Sequence, residues 1–252
     1  MRSLISYLRF LAGFSIVAVG SVIAFVAALP FIPWRQTRIR ICNLYGHIVG
    51  RAVLFCAGAT PVVRNRERIV ASMPAIFVCN HTSTLDAFLS IWLCPYDACG
   101  VFKREVLWIP FFGQLLALSG HLTLNRKNSG SAVETLKDTA VLMKEKRLGI
   151  WIMPEGTRSK DGRLLPFKKG FVHLAIASGL PVVPVAVHGA HRNWPLGPLN
   201  FTPMTLEIDV LPAIDTSGWT EANAAEHAAE VHAVMKAALK EDQRPAGLAL
   251  AA

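Results

Sequence analysis

Ala75-Ile76-Phe77-Val78-Cys79-Asn80-His81-Thr82-Ser83-Thr84-Leu85-Asp86 is the stretch on which the fold turns. Five apolar residues follow Pro74 without a break, too few for a helix and rich in strand formers. Such a run reads as a strand covered on both faces, the habit of a parallel sheet. The hydroxyl-rich residues after it read as a turn into a helix, with Ser83 or Thr84 able to cap that helix. Two similar runs occur further on, Gly149-Ile150-Trp151-Ile152-Met153 and Val182-Val183-Pro184-Val185-Ala186-Val187. Leu206-Glu207-Ile208-Asp209-Val210 alternates instead, as an edge or one-sided strand does.

Helical patterns lie between the strands. Ser131 and Glu134 make a capping box ahead of Val133, Leu136, Ala140 and Met143. Phe171 to Ser178 ends at Gly179, and Ala-rich Thr220 to Lys240 is amphipathic. Strands alternating with helices predict an α/β fold with a central, mostly buried β-sheet flanked by helices. The length of 252 residues suits one such domain plus an appendage.

The appendage is N-terminal. No charged residue occurs from Leu11 to Pro33, and Arg9 and Arg35 bracket the run. About 20 apolar residues match the roughly 30 Å hydrocarbon core of a bilayer. The run is too long for a signal peptide's apolar core, and Trp34 with Arg35, Arg38 and Arg40 follows it directly. A membrane-anchoring helical segment is expected, as a single span or a helix pair dipping into one leaflet. Arg35, Arg38, Arg40 and Arg51 outnumber Arg2 and Arg9, which puts the rest of the chain, active site included, on the cytoplasmic side of an inner or plasma membrane. The expected organisation is anchor and linker helix over 1–60, a domain over 61–240 and a mobile tail over 241–252, with Ala59-Thr60-Pro61 breaking the linker helix.

The formal charge of +9 favours anionic partners. No zinc-finger, RNA-recognition or helix-turn-helix signature points that charge at nucleic acid. The five cysteines show no C-x-x-C pair and no accompanying histidine cluster, so they read as free thiols, with no metal site.

Three post-strand segments carry chemistry. In the first, His81 in the turn and Asp86 in the first helical turn can meet, Asp86 holding one ring nitrogen and leaving the other free to take a proton. In the second, Glu155-Gly156-Thr157-Arg158, backbone N–H groups of Gly156 and Thr157 can face an anion and Arg158 can grip a phosphate with two donors. In the third, Gly120-His121-Leu122-Thr123-Leu124-Asn125-Arg126, a short strand ends in an arginine aimed at the same rim. Each of these alone is equally well a solvated loop.

Taken in order, NHTSTLD (80–86), GHLTLNR (120–126), MPEGTRS (153–159) and VVPVAV (182–187) resemble the glycerolipid acyltransferase family, most closely its 1-acyl-glycerol-3-phosphate acyltransferase branch. Phe102-Lys103-Arg104-Glu105 and Pro166-Phe167-Lys168-Lys169-Gly170 are similar to it too, so the resemblance covers about residues 70 to 190. Thr123 and Met153 stand where that family often has phenylalanine.

The resemblance implies transfer of a fatty acyl group from acyl-CoA or acyl carrier protein, a co-substrate rather than a cofactor, to a lysophospholipid, giving phosphatidic acid. It implies His81 as base, Asp86 behind it, and Arg126, Glu155, Gly156, Thr157 and Arg158 around the acceptor, with Lys103 a further cation. The sequence has no G-x-S-x-G elbow, consistent with direct attack on the thioester. Two competing readings are an acyltransferase for another lysolipid, such as an amino-acid-based one, and a non-catalytic membrane lipid-binding module.

Overall fold

The computed structural model describes residues 2–124, 139–197 and 199–245. A long helix α1 (Arg2–Ala28) turns through Leu29–Phe31 into α2 (Arg35–Cys56). Then come β1 (Ala59–Arg64), α3 (Glu67–Ala71), β2 (Ile76–Cys79), α4 (Leu85–Leu93), β3 (Ala98–Lys103), α5 (Phe112–Ser119) and β4 (Leu122–Leu124). A helix α6 is described over 139–146. It is followed by β5 (Gly149–Ile152), α7 (Gly170–Ser178), β6 (Val182–Val187), α8 (Ala190–Asn193), β7 (Met204–Val210) and α9 (Ala224–Ala238). The capping box at Ser131 and Glu134 and the arginine at 126 lie outside the described residues.

The seven strands form one sheet in the order β1-β7-β6-β2-β5-β3-β4. Every pairing is parallel except β6 with β7. Every residue of β2, β5 and β6 is buried, as their unbroken apolar runs require. Alternation sorts β2 between two cores: Ile76 and Val78 pack with α7 and α9, Phe77 and Cys79 with α4 and the end of α2. Pro184 is tolerated inside the sheet because the antiparallel ladder with β7 begins one residue later, at Val185.

Three expectations are corrected. Ala59-Thr60-Pro61 opens strand β1, not a mere break, and Pro61 is accommodated because β1 is an edge strand. β7 is one-sided but not an edge: Leu206, Ile208 and Val210 are buried, and β1 and β6 flank it. The first residues after position 240 are held, not loose. Fully buried Gln243 accepts the Gly189 N–H through Oε1 (2.8 Å) and donates to the Val187 carbonyl (3.2 Å), and its own carbonyl accepts the Leu164 N–H (2.8 Å).

Helices α1 and α2 fold back on each other. Gly20 lets them close, since a Cβ there would stand 2.9 Å from Val49, and Ser21 Oγ lies 2.9 Å from the Tyr45 hydroxyl. α2 in turn presses on α4, where Cβ atoms at Gly46 and Gly50 would sit 2.7 and 2.6 Å from the carbonyl oxygens of Ile91 and Phe88. The arginines after the apolar run tie α2 to the end of α5 and to the loop ahead of β3. Arg35 donates to the Gly120 carbonyl (2.9 Å), Arg38 to that of Leu118, and Arg40 pairs with Asp97 (2.7 Å).

Candidate active site

The site forms at the carboxyl ends of β2 and β5, neighbours at the centre of the sheet. From β2 the chain moves outward to β3 and β4, returns to β5, then crosses to β6 on the other side of β2. Such a reversal opens a crevice beyond the strand ends.

His81 and Asp86 do meet. His81 Nδ1 is 3.2 Å from Asp86 Oδ2. The same oxygen accepts the backbone N–H groups of Thr82 (2.5 Å) and Ser83 (2.7 Å), so the carboxylate folds the turn back on the first turn of α4. Ser83 Oγ accepts the Leu85 N–H at 3.1 Å from the position before the N-cap, Thr84, whose own side chain makes no capping bond. Asp86 is fully buried, and its Oδ1 has no partner among the described residues. With Nδ1 engaged by Asp86, Nε2 is the ring nitrogen that remains.

The second loop grips the first. Glu155 Oε1 accepts the His81 N–H (2.6 Å), Oε2 accepts the Leu165 N–H (3.1 Å), and the His81 carbonyl accepts the Ser159 N–H (2.9 Å). Glu155 is therefore a buried brace behind His81, with each carboxylate oxygen on a backbone N–H. Burial lifts its carboxyl to about 8, against the pull of the two N–H donors. The Gly156 N–H closes a turn on the Met153 carbonyl (3.2 Å), so it is not left to face an anion. Gly156 has a left-handed φ of 73°, and the side chain of Lys168 lies against it. Thr157 and Arg158 are exposed at the rim, and Arg158 reaches across to the hydroxyl of Thr84.

Below this rim lies an apolar cavity of about 270 Å³. His81, Gly156, Arg158 and Lys103 border it, and Phe102, Leu115 and Trp151 are among its walls. His121, from the third segment, also lines it and accepts the Gly100 N–H on Nδ1 (3.1 Å). Burial holds that imidazole down to about 4, so it is neutral at physiological pH. Neighbouring Asn80 pairs with the backbone of Val187 in both directions, at 3.0 and 2.8 Å, stitching the end of β2 to the end of β6. The sequence pattern gave no signal for that role or for the Glu155 brace, because the partners are main-chain groups. Among the described residues no cluster of histidine, cysteine and carboxylate side chains is arranged to hold a metal. The cysteines are free, four of the five are buried, and burial pushes the Cys79 thiol well up.

An α/β sheet carrying a braced histidine–aspartate pair above an apolar cavity can set a general base beside room for a hydrocarbon chain, which suits an acyl-transferring enzyme. A family model described as "Acyltransferase" matches residues 60–188. The 1-acyl-sn-glycerol-3-phosphate acyltransferase of Limnanthes douglasii is 38% identical over 244 residues, covering 97% of this chain and 86% of that protein. Its Escherichia coli counterpart is 35% identical over 198 residues, 78% of this chain and 79% of its own. The crystal structure of the 1-acyl-sn-glycerophosphate acyltransferase from Thermotoga maritima superposes with a TM-score of 0.74 at 26% identity, over 94% of this chain and 95% of that one. The chain belongs to the 1-acyl-sn-glycerol-3-phosphate acyltransferase family, and it is an O-acyltransferase.

Proposed function

We propose that the enzyme moves a fatty acyl group from a thioester, acyl-CoA or acyl carrier protein, to the free hydroxyl of 1-acyl-sn-glycerol-3-phosphate, giving phosphatidic acid. The observation that carries this reading is the His81–Asp86 contact of 3.2 Å at the mouth of the apolar cavity. His81 Nε2 takes the hydroxyl proton as the alkoxide oxygen attacks the thioester carbonyl. The C–O bond forms, the C–S bond breaks, and the proton passes from the imidazolium to the departing thiolate. Asp86 fixes the ring and stabilises its cation, while Glu155 holds the histidine backbone in place. Base catalysis of this kind is worth about 10²–10⁴-fold. The donor's hydrocarbon chain occupies the cavity, and Arg158 with Arg126, Lys103 and the exposed Lys168 supplies cations for the acceptor phosphate.

The chain associates with membranes through α1 and the turn that follows it, a stretch (Leu4–Phe31) long and apolar enough to cross one. Leu4, Leu8, Leu11, Val22, Ile23 and Val26 are exposed along it. Yet α1 is tied to the domain along its length. Ser6 Oγ accepts the Phe201 N–H (3.1 Å), the Phe10 ring sits on Trp194, and Ala24 and Ala28 are buried. That favours a helix lying with the domain against the cytoplasmic leaflet over a lone span. The anchor (1–60) and the catalytic domain (61–240) then work as one unit.

Purified protein incubated with a panel of lysolipids and both thioesters, products identified by mass, tests the reaction. Phosphatidic acid formed from lysophosphatidic acid, and lost in His81→Ala, is expected. Acylation only of a different lysolipid would overturn the acceptor assignment.

A further inference from the structure

A second cavity, of about 170 Å³, lies between α1, α2 and α4. Its lining is apolar apart from Arg9, and includes Phe10, Gly13 and Phe14 of α1, Val53 and Cys56 of α2, and Phe88 of α4. It shares Ala87, Ile91, Phe102 and Phe112 with the first cavity. Those four side chains form a partition with a cavity on each side, and Ala87 stands next to Asp86.

Gly13 gives an independent sign that this space is kept open. A mid-helix glycine destabilises a helix relative to alanine, so it usually answers to a backbone or packing need. Gly20 has such a need against Val49, whereas a Cβ at Gly13 would meet nothing nearer than Cys56 at 3.8 Å. Glycine there leaves room in the cavity wall.

We infer that this second cavity receives the acyl chain already carried by the acceptor, while the first takes the chain being transferred. The inference rests on the acceptor reading above. The reaction brings together two hydrocarbon chains and one histidine, and the structure offers two apolar chambers, one bordered by that histidine and the other sharing a wall with the first. The second chamber lies under α1, the helix with the exposed apolar face, so a monoacyl lipid reaches it sideways from the bilayer without its chain crossing water.

Gly13→Leu fills the chamber from its wall and touches no catalytic residue. The expected result is a KM for oleoyl-chain lysophosphatidic acid raised about tenfold or more, since each excluded methylene is worth about 0.8 kcal/mol. The KM for a hexanoyl-chain acceptor and that for the thioester stay within about twofold, and Tm does not fall. Equal effects on both acceptors, no effect, or a changed preference for donor chain length would overturn the inference. A second measurement uses the wild-type enzyme and lysophosphatidic acid bearing a diazirine at its chain end. Labels within 10–17 and 53–57 support the assignment, and labels on Leu115, Leu116 or Trp151 overturn it. A wild-type enzyme that acylates neither acceptor would instead remove the acceptor reading on which the inference stands.

Discussion

Asp86→Asn separates charge from geometry at this site. All three donors to the carboxylate, His81 Nδ1 at 3.2 Å and the N–H groups of Thr82 and Ser83 at 2.5 and 2.7 Å, converge on Oδ2. Oδ1 is buried and has no partner among the described residues. An asparagine with its carbonyl oxygen in the Oδ2 position keeps every one of those bonds and puts its NH₂ where Oδ1 was. The turn survives, and stability changes by no more than about 1–3 kcal/mol. What disappears is a negative charge beside a ring that must become cationic. At an effective dielectric of about 20, that attraction at 3.2 Å is about 5 kcal/mol. Half of it, allowing for the partial exposure of His81, is still roughly 70-fold in rate. The expected kcat is therefore about 10²- to 10³-fold below wild type, with an intact melting transition and intact membrane association. Initial rates at saturating thioester and lysophosphatidic acid measure it, beside thermal unfolding and vesicle flotation. A variant that folds normally and retains more than about a fifth of wild-type kcat would refute the role assigned to the carboxylate.

Glu155→Gln has a distinctive pH signature. The folded-state carboxyl lies at about 8 against an ordinary 4.5. Its contribution to stability is thus complete below pH 4.5 and is lost as pH rises through 8. Urea unfolding at pH 5 and pH 9 should show the glutamine protein gaining on wild type by about 2–4 kcal/mol at the higher pH, and parallel pH curves would contradict this. Its turnover should still fall, because an amide offers one acceptor oxygen to the two backbone N–H donors and must release either His81 or Leu165. Arg158→Ala and Arg126→Ala should each raise the acceptor KM about tenfold or more while leaving the thioester KM alone; unchanged acceptor kinetics would take that arginine out of the site. Asn80→Ala leaves the buried Val187 N–H without its partner, and should cost about 1–3 kcal/mol in the urea midpoint at constant m-value.

How much of this was legible beforehand depended on what kind of partner each residue has. β2, β5 and β6 announce themselves because burial on both faces demands an unbroken apolar run. β1 does not, since an edge strand needs only alternate apolar positions and Pro61 disguised it as a break. The histidine and the aspartate were legible as a pair because five residues spanning a strand-to-helix turn is a local arrangement. The brace from Glu155 was not, because both its partners are backbone N–H groups whose identity leaves no trace in the sequence. Arg35 and Arg38 looked like headgroup residues for the same reason: their acceptors are carbonyls 85 and 80 positions away. Gln243 looked like the start of a loose end, yet it plugs the gap between Val187 and Gly189.

The glycines at 46 and 50 have a mechanical consequence. With no side chain between them, the second helix of the hairpin bears directly on the main chain of the helix that begins beside His81. Sinking or tilting the hairpin in a lipid layer therefore carries His81 with it, like a blade fixed to its handle. The height at which the enzyme works is then set when the chain folds and needs no flexible tether to find it. A methyl group at either position should lift the blade from its handle, and activity on vesicles should suffer more than activity on acceptors dispersed in detergent.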